Sequence, residues 1–304
     1  MPFISIIIPN YNHAPYLTER IESVLNQTYQ DFEVIILDDC STDNSRDVIE
    51  TYRNHPKISH IIFNEQNSGS TFRQWEKGIM LAKGEYIWVA ESDDVADNFF
   101  LERMISVLQK DSEISIAYCK SIKIDENGKT LGLVKWGSQL DNTKWEKSFI
   151  NDGNKEIDQY FRYFCIITNA SSAIFRKNKI NYKIFTYISK MKFAGDWLFW
   201  LHLIQNNKIG FLAEPLNYFR FHNNSTRSTK SLEIEKKRYE ELAYIIKYTS
   251  KICKSKIVAH NYFWILQEWK LRMVNHKKQN KFRILCYDFP LKLNFFFLKQ
   301  LLKK

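Results

Sequence analysis

The sequence predicts an α/β fold: a doubly wound, mainly parallel sheet followed by a mostly helical C-terminal region. Three observations support it. Short apolar runs alternate with amphipathic patterns of helical period through about the first 110 residues, and each run ends in polar or acidic residues. Such alternation is typical of parallel strands covered by helices. The last quarter of the chain, by contrast, is basic and mostly helical in pattern.

The first part of the sheet follows from four apolar runs. They cover residues 3–8, 33–37, 59–63 and 85–90, and each is short and apolar enough to be a buried strand. Helices are predicted over 15–27, after the capping candidates 41–44, from the end of the loop 64–70 to about Lys83, and over 97–110. Gly84 stands where a glycine that ends a helix is expected.

The rest of the chain is less regular. Strands are predicted over 114–124, 171–175 and 216–222, with a turn at 125–129 and a helix over 196–205. From 231 to 304 the pattern is mostly helical, with a break near 288–290. We therefore divide the chain into a globular part, 1–228, and a basic helical region, 229–304.

The charge distribution separates these two parts. The chain carries 44 Lys and Arg against 34 Asp and Glu, a net charge of +10. Residues 229–304 hold 18 of the basic and 6 of the acidic residues, so 1–228 is close to neutral. A basic region of this kind suits an anionic membrane surface, a nucleic acid or water alone. Hydrophobic residues make up 44% of the chain, which excludes disorder of the whole.

Cysteine usage and the N-terminal pattern indicate the compartment. The five cysteines are odd in number, far apart and without a CxxC pair, which favours a reducing compartment over a disulfide framework or zinc finger. No signal-peptide pattern precedes the first apolar run, and no run approaches the ~20 apolar residues of a membrane-spanning helix. We expect a cytoplasmic protein.

Two acidic clusters follow apolar strands of the predicted sheet. One is Asp38-Asp39, and the other contains Glu91, Asp93 and Asp94. The carboxyl ends of parallel strands meet at one sheet edge, where ligands of open α/β sheets bind. Hard oxygen ligands suit Mg²⁺ or Mn²⁺. Solvated turns and helix N-caps are the alternative interpretation of both clusters.

Several nucleotide-binding and hydrolase motifs are absent. The sequence has no GxxxxGK[ST] loop, no GxGxxG after a strand, no GxSxG and no HExxH. Five blocks instead resemble glycosyltransferase family 2, the nucleotide-sugar-dependent transferases with the GT-A fold. The blocks cover 6–12, 35–43, 67–69, 84–94 and 195–197, and 214–222 resembles the end of the family's catalytic domain. The resemblance extends over about 3–225.

The resemblance implies a role for each matching residue. Residues 1–228 would be a GT-A catalytic domain, with a nucleotide-binding half to about 110 and an acceptor-binding half over 111–228. Asp196 would be the catalytic base. The remaining roles are nucleotide binding by Pro9, Tyr11, Asp38, Asp39, Asn67, Arg73 and Asp93; binding of Mn²⁺ or Mg²⁺ by Asp93, Asp94 and His222; and donor or diphosphate contacts by Glu91 and Arg220. The candidates for acceptor contacts are Trp197, within a matching block, and Trp136, which lies outside the blocks in a polar stretch that suits stacking on a sugar.

Some of these assignments have alternatives. Asp196 could instead be the N-cap of the helix that follows it, and His222 could be an ordinary satisfied histidine. Glu91 stands where the family more often has Asp, and Cys40 where it usually has Gly.

The function expected from the resemblance is a metal-dependent transfer of a sugar, with inversion, from a nucleotide diphosphate donor to a hydroxyl. The donor would be a UDP-sugar, and the acceptor a glycan or lipid-linked molecule of surface polysaccharide synthesis. The basic region would contact the inner face of a membrane, pack on the catalytic domain or pair with a second subunit. The alternatives are a non-catalytic nucleotide-sugar-binding protein, a nucleotidyltransferase of similar plan, or a basic nucleic-acid-binding protein. We expect no nucleic-acid partner, because the basic residues lie apart from the polar strand ends.

Overall fold

The computed structural model describes residues 2–135, 137–138, 140–222, 231–272 and 289–302. Ten strands are present: β1 Ile4–Asn10, β2 Phe32–Asp38, β3 Ile58–Phe63, β4 Tyr86–Val89, β5 Val95–Ala96, β6 Ile114–Ile124, β7 Thr130–Leu133, β8 Phe149–Asp152, β9 Ala173–Arg176 and β10 Lys208–Arg220. Trp136, a predicted acceptor contact, lies outside the described residues.

The described ranges contain ten α-helices. They are α1 Ala14–Leu25, α2 Ser45–Glu50, α3 Thr71–Leu81, α4 Phe100–Leu108, α5 Gly153–Glu156, α6 Phe185–Ile188, α7 Gly195–Ile204, α8 Leu232–Ile252, α9 Phe263–Arg272 and α10 Leu291–Leu302. Short 3₁₀ turns lie at Lys144–Glu146, Ala170–Ser172, Lys177–Lys179, Tyr182–Ile184 and Ala259–Tyr262, and a π-helical turn at Ile157–Phe161.

All ten strands form one mixed sheet. The main order is β3-β2-β1-β4-β9-β6-β10-β5, with β7 on β6 and β8 on β10. The neighbours among β1 to β4 are parallel, as are β6 and β10, while β9 runs antiparallel between β4 and β6. The predicted α/β class with a mainly parallel sheet is confirmed. The carboxyl ends of β1, β2 and β4 consequently lie at one edge.

Helices cover both faces of this sheet, and this explains the uninterrupted apolar strands. In β1, Ile6 and Ile8 pack with α1 and α4, whereas Ile7 faces the opposite side with Trp75 of α3 and Trp200 of α7. The second face also receives buried apolar residues of α8, α9 and α10. The described part of the basic region therefore shares its core with the part of the chain that carries the sheet.

Three strands, β5, β7 and β8, were not predicted, and β10 begins earlier than expected. β5 has two residues and β7 is exposed throughout, so neither shows an apolar pattern. β10 begins at Lys208 rather than near 216, because its pairing with β6 shifts register on both sides of Pro215. The irregularity divides one strand into two pieces in the sequence pattern.

Gly84 does not end a helix. α3 ends at Leu81, and Ala82 after it has an extended ψ of 133°. Gly84 instead lies against β1: its N–H donates to Ser5 Oγ at 2.8 Å, and an added Cβ would stand 2.6 Å from Ser5 N. The glycine is required for close approach of two backbones.

Gly84→Ala is therefore expected to destabilise the protein by about 2–3 kcal/mol, at the upper end of the usual overpacking cost. The contacting atoms belong to the backbone of a central strand and cannot rotate away. The free energy of unfolding from urea titration measures the effect. A change below about 0.5 kcal/mol would mean that β1 yields easily and that the close approach is unimportant.

Candidate functional site

The predicted site residues lie where the ends of β1, β2 and β4 meet the end of β10. The loop after β4 carries Glu91, Asp93 and Asp94, and His222 follows β10. Asp94 Oδ1 accepts a hydrogen bond from the backbone N–H of Arg220 at 3.0 Å, which joins the two chain segments directly. The site is thus assembled from residues about 130 positions apart.

Asp38 stabilises the turn that leads out of β2. It is buried, and its carboxylate accepts hydrogen bonds from Asn10 Nδ2 at 2.8 Å and from the backbone N–H of Ser41 at 2.9 Å. Ser41 Oγ donates to the same carboxylate. These contacts hold the Asp38 side chain within the turn, and its predicted role in nucleotide binding stays a prediction.

Asp39 is buried among polar groups that donate hydrogen bonds to its carboxylate. Its Oδ1 accepts from Asn64, from the backbone N–H of Ser68 and from Gln74, at 2.7–2.9 Å. Its Oδ2 accepts only from Ser68 Oγ in the described structure, at 2.7 Å, and so retains acceptor capacity. Asn67 is exposed and donates to the Asp39 backbone carbonyl at 2.9 Å. Asn64 and Gln74 were not predicted from the sequence.

The other residues predicted to bind nucleotide differ in exposure. Tyr11 is 46% exposed, which is unusual for a large ring beside buried strands. Arg73 is exposed on the first turn of α3, whereas Pro9 is buried within β1. Cys40 has a φ of +62°, a conformation that glycine adopts more readily and that explains the glycine usual in the family.

Glu91 is used inside the protein. Its Oε1 accepts from the indole N–H of Trp75 at 3.0 Å, a contact that its extra methylene helps it to reach. Burial and the nearby Asp93 raise the pKa of Glu91 to about 8. The contact with Trp75 uses one oxygen of Glu91, and its predicted contact with the donor stays a prediction.

A buried arginine lies beneath the acidic loop. Arg20 of α1 donates from Nε to the backbone carbonyl of Glu91 at 2.8 Å and lies over the ring of Trp88. Burial lowers the pKa of Arg20 to about 10, although Asp94 and Asp93 oppose the shift. Arg20 was not predicted as a site residue. Its place on the apolar face of α1, three residues after Leu17 and one before Ile21, was the available indication.

Asp94 is buried, and its carboxylate has partners within the protein. Its two oxygens accept from Asn169 Nδ2 and from the Arg220 N–H. Burial first, and then the neighbouring Asp93, raise the pKa of Asp94 to about 7. Each oxygen therefore already has one protein partner, and the predicted role of Asp94 as a metal ligand stays a prediction.

Three side chains nevertheless form a compact group of ligand type: His13, Asp93 and His222. One ligand atom from each lies within 4.8 Å of the others. His222 Nε2 is 3.0 Å from Asp93 Oδ2, and His13 Nδ1 is 2.8 Å from Ser92 Oγ. Burial would raise the pKa of Asp93, but the hydrogen bond from His222 and the charge effects of His13 and His222 hold it below its ordinary value. Burial lowers the pKa of His13.

This donor set fits a divalent cation. Neutral imidazoles and an ionised carboxylate are the protonation states that metal ligands require. His222 Nδ1 is buried without a hydrogen-bond partner among the described residues, so no competing contact holds that nitrogen. Mixed nitrogen and oxygen donors suit Mn²⁺ better than Mg²⁺, which prefers oxygen alone. His13 was not predicted as a ligand, and only its position shortly after β1 could have indicated it.

Arg220 connects separate parts of the site. Its guanidinium donates to the backbone carbonyls of Asp93 at 2.8 Å and Asp125 at 3.1 Å, pairs with Glu19 of α1, and lies over the ring of Tyr16. It is buried. The predicted diphosphate contact does not fit these partners, and Arg220 is better described as a structural link.

Asp196 lies at the second residue of α7. The N-cap is Ala194, so the alternative prediction of Asp196 as the N-cap is wrong. Its Oδ1 accepts from the backbone N–H of Trp197 at 2.7 Å, and the residue is partly exposed. Trp197 itself is buried and donates from its indole to the Phe161 carbonyl at 2.8 Å. Its burial does not fit the predicted acceptor contact.

Comparison with known proteins gives a consistent family. The family model described as Glycosyl transferase family 2 matches residues 5–185. A glycosyltransferase of Methanocaldococcus jannaschii is 28% identical over 88% of this chain and 80% of its own length. TuaG of Bacillus subtilis, named for teichuronic acid biosynthesis, is 34% identical over 36% of this chain. Three relatives, TuaG among them, are matched over 38–44% of their own length.

Solved structures show the same fold. Residues 1–349 of S. aureus TarS, in complex with UDP, align with a TM-score of 0.63 and 22% identity, covering 96% of this chain and 76% of that one. A Pyrobaculum calidifontis mannosyltransferase in complex with GDP-Man and Mn²⁺ aligns with a TM-score of 0.54 and 11% identity, covering 99% and 86%. At these identities the likeness concerns the fold.

Proposed function

Because the chain belongs to glycosyltransferase family 2, we propose that it transfers a sugar, with inversion, from a nucleotide diphosphate donor to a hydroxyl of a glycan or lipid-linked acceptor. The observation that carries the proposal is the placement, at one sheet edge, of the group His13, Asp93 and His222 together with the exposed ring of Tyr11. A cation held by the three ligands suits the diphosphate of a nucleotide diphosphate, and an exposed aromatic ring suits its base.

The base of the donor is proposed to bind between Tyr11 and Asp39. The exposed Tyr11 ring offers a stacking face, and Oδ2 of Asp39 can accept an N–H from the base. Uracil carries such an N–H, so a UDP-sugar is the donor we favour. The complex of TarS with UDP, a protein of the same fold, supports this choice.

The cation, Mn²⁺ or Mg²⁺, would be held by His13, Asp93 and His222. When bound there, it supplies positive charge beside the diphosphate of the departing nucleotide. Asp93 contributes the anionic oxygen, and Ser92 fixes the ring of His13 through the contact at Nδ1. The mannosyltransferase bound to Mn²⁺ supports the preference for this metal.

Asp196 is proposed to remove the proton from the acceptor hydroxyl as the new bond forms. A single displacement with inversion requires one base on the face opposite the leaving group, so one carboxylate suffices. The side chain is partly exposed at the beginning of α7 and so is accessible to an acceptor. The name of TuaG supports a surface polysaccharide as the product.

The donor proposal is tested by thermal shift with UDP, GDP, CDP and TDP, each with and without Mn²⁺. Stabilisation by UDP that requires Mn²⁺ is the expected result, since a ligand that binds only the folded state raises the melting temperature. Stabilisation by another nucleotide would overturn the choice of UDP. No stabilisation by any of the four would contradict the nucleotide site itself.

We further propose that the enzyme works at the cytoplasmic face of a membrane and contacts it through α10. Leu291, Phe295, Leu298 and Leu302 are exposed at helical spacing, while Leu293 and Phe297 on the opposite side are buried. Lysines lie within the same helix. An apolar stripe beside cationic side chains suits an anionic lipid surface. Within the described residues, no helix combines the length and apolar character that a membrane crossing requires.

Replacing Phe295 and Leu302 together by Ser is expected to weaken binding to vesicles containing phosphatidylglycerol by at least about tenfold, because each large side chain contributes about 1.5–3 kcal/mol when buried. Vesicle flotation measures the bound fraction. Met80→Ser, which removes an exposed apolar side chain from α3, is the matched control. Equal flotation of both variants, or none by the wild type, would contradict the membrane proposal.

A further inference from the structure

One carboxylate of the C-terminal region reaches the segment that leads into the proposed base. Glu241 lies on α8 and is buried. Its two oxygens accept hydrogen bonds from three consecutive backbone N–H groups, those of Lys192 at 2.7 Å, Phe193 at 2.8 Å and Ala194 at 2.9 Å. All three donors therefore converge on one side chain about 50 residues away in sequence.

These donors stand directly before α7. Ala194 is the N-cap of that helix, and Asp196 follows two residues later. An alanine cannot fix the start of a helix through a side-chain hydrogen bond, as Ser, Asp or Asn would at this position. Glu241 provides from another helix the constraint that the local sequence lacks, and its negative charge is favourable near a helix N-terminus.

The first turn of α7 is held from two other directions as well. Gly195 packs so closely on Phe72 of α3 that an added Cβ would lie 2.4 Å from its ring. The indole of Trp197 donates to the Phe161 carbonyl at 2.8 Å. Glu241 is thus the third restraint on a turn of which Asp196 is a member, and the one contributed by the C-terminal region.

A neighbouring arginine of α8 reinforces the contact. The guanidinium of Arg238 lies 4.0 Å from the centre of the Phe193 ring, and it is close to Glu235 on the same helix. Two side chains of α8 therefore contact the loop 192–194: Glu241 binds its backbone, and Arg238 covers the ring of Phe193. A purely apolar contact between α8 and residues 192–194 would require neither Glu241 nor Arg238.

From these contacts we infer that Glu241 is a positioning residue for Asp196, and that the C-terminal region completes the catalytic unit. The inference rests on the proposed role of Asp196 as the base. One part of the inference does not depend on that role: Glu241 fixes the backbone path of residues 192–194. That path in turn determines where the carboxylate of Asp196 stands relative to the acceptor.

Glu241→Gln tests the inference. The amide keeps the length of the side chain, but its NH₂ group cannot accept a hydrogen bond, so at least one of the three N–H groups loses its partner. With UDP-GlcNAc as the probe, because it is the nucleotide sugar in a complex of TarS, a protein of the same fold, we expect kcat for nucleotide release to fall at least about tenfold. Small misplacements of a catalytic group have effects of this size. The affinity for UDP with Mn²⁺ should stay within about twofold. Hydrogen exchange of the 192–194 amides should become faster.

Glu240→Gln is the matched control. Glu240 is the preceding residue of α8, is 47% exposed and pairs only with Lys236 on its own helix among the described residues. It should leave kcat, UDP affinity and hydrogen exchange as in the wild type. The fraction of protein that binds UDP is measured for each variant. If kcat of Glu241→Gln falls only in proportion to that fraction, the substitution causes a general folding defect and the positioning role is overturned.

A double variant separates the inference from the proposed function. If Glu241 acts through Asp196, its replacement should have no further effect on the residual kcat of Asp196→Asn. An equal fold-change in both backgrounds would overturn the inference while leaving the base intact. Ordinary turnover by Asp196→Asn alone would instead contradict the proposed base. Unchanged hydrogen exchange in Glu241→Gln would overturn the backbone restraint by itself.

Discussion

Asp196→Asn is expected to lower kcat by about 10²–10⁴-fold, the usual contribution of a general base. The amide retains the shape of the carboxylate and can still accept from the Trp197 N–H, so α7 should keep its start. What it cannot do is accept a proton from the acceptor hydroxyl. Donor affinity should therefore remain within about twofold, and the loss should appear in turnover alone.

The measurement is a steady-state rate together with a titration of UDP and Mn²⁺. Asp47→Asn is a suitable control, because Asp47 is an exposed acidic residue in the first turn of α2, as Asp196 is in α7. The control removes the same charge from a helix N-terminus and should leave kcat unchanged. Turnover by Asp196→Asn within about threefold of the wild type would exclude this residue as the base.

The second large effect concerns Asp93. Asp93→Asn is expected to weaken Mn²⁺ binding by at least about 100-fold, more than the 10–100-fold typical of residues that only orient a ligand. The substitution removes the anionic oxygen of the proposed group and leaves the two imidazoles. His13→Ala should weaken Mn²⁺ binding by about tenfold or more. Electron paramagnetic resonance of free Mn²⁺, without nucleotide, reports both affinities directly.

Asp94→Asn provides a close comparison. The amide oxygen can still accept from the Arg220 N–H, and the raised pKa already makes the neutral form of Asp94 accessible near pH 7. Asn169 can accept from the new amide by turning over, at the cost of the hydrogen bond that it accepts from Asn217. Mn²⁺ affinity should therefore change little. A large loss of Mn²⁺ affinity in Asp94→Asn, with no loss in His13→Ala, would refute the proposed ligand set and support the set predicted from the sequence.

The sheet could be predicted because both of its faces are covered. Strands buried on two sides are apolar at every position, so Ile6, Ile7 and Ile8 form a run that is easily recognised. The same reasoning located the polar strand ends. It failed for β10, where Pro215 and the register shifts on either side of it hide a long strand.

The ligand group could not be predicted in full, because it depends on contacts between distant segments. Asp93 and Asp94 are adjacent in a turn, and only the partners of each, His222 for one and Asn169 for the other, distinguish the ligand that we propose from its neighbour. His13 becomes a ligand candidate only when the end of β10 brings His222 beside it. Sequence spacing has no information about that approach.

The C-terminal region was divided from the globular part by its charge. Lysines and arginines dominate its composition, yet Tyr239, Ile245 and Leu266 enter the same core as the sheet. Its net charge describes the outer face of these helices and not the inner one. The buried Glu241 could not be distinguished from the exposed Glu240 in the sequence, since only the loop before α7 gives it partners.

Arg220 bears on how this enzyme could be re-engineered. Its guanidinium joins β10 to Glu19 and to the carbonyls of Asp93 and Asp125, which belong to both sides of any junction placed near residue 110. A chimaera made there from two related enzymes would combine the arginine of one parent with the contact residues of the other. Donor and acceptor preferences are therefore better exchanged by replacing loops within one scaffold than by recombining halves.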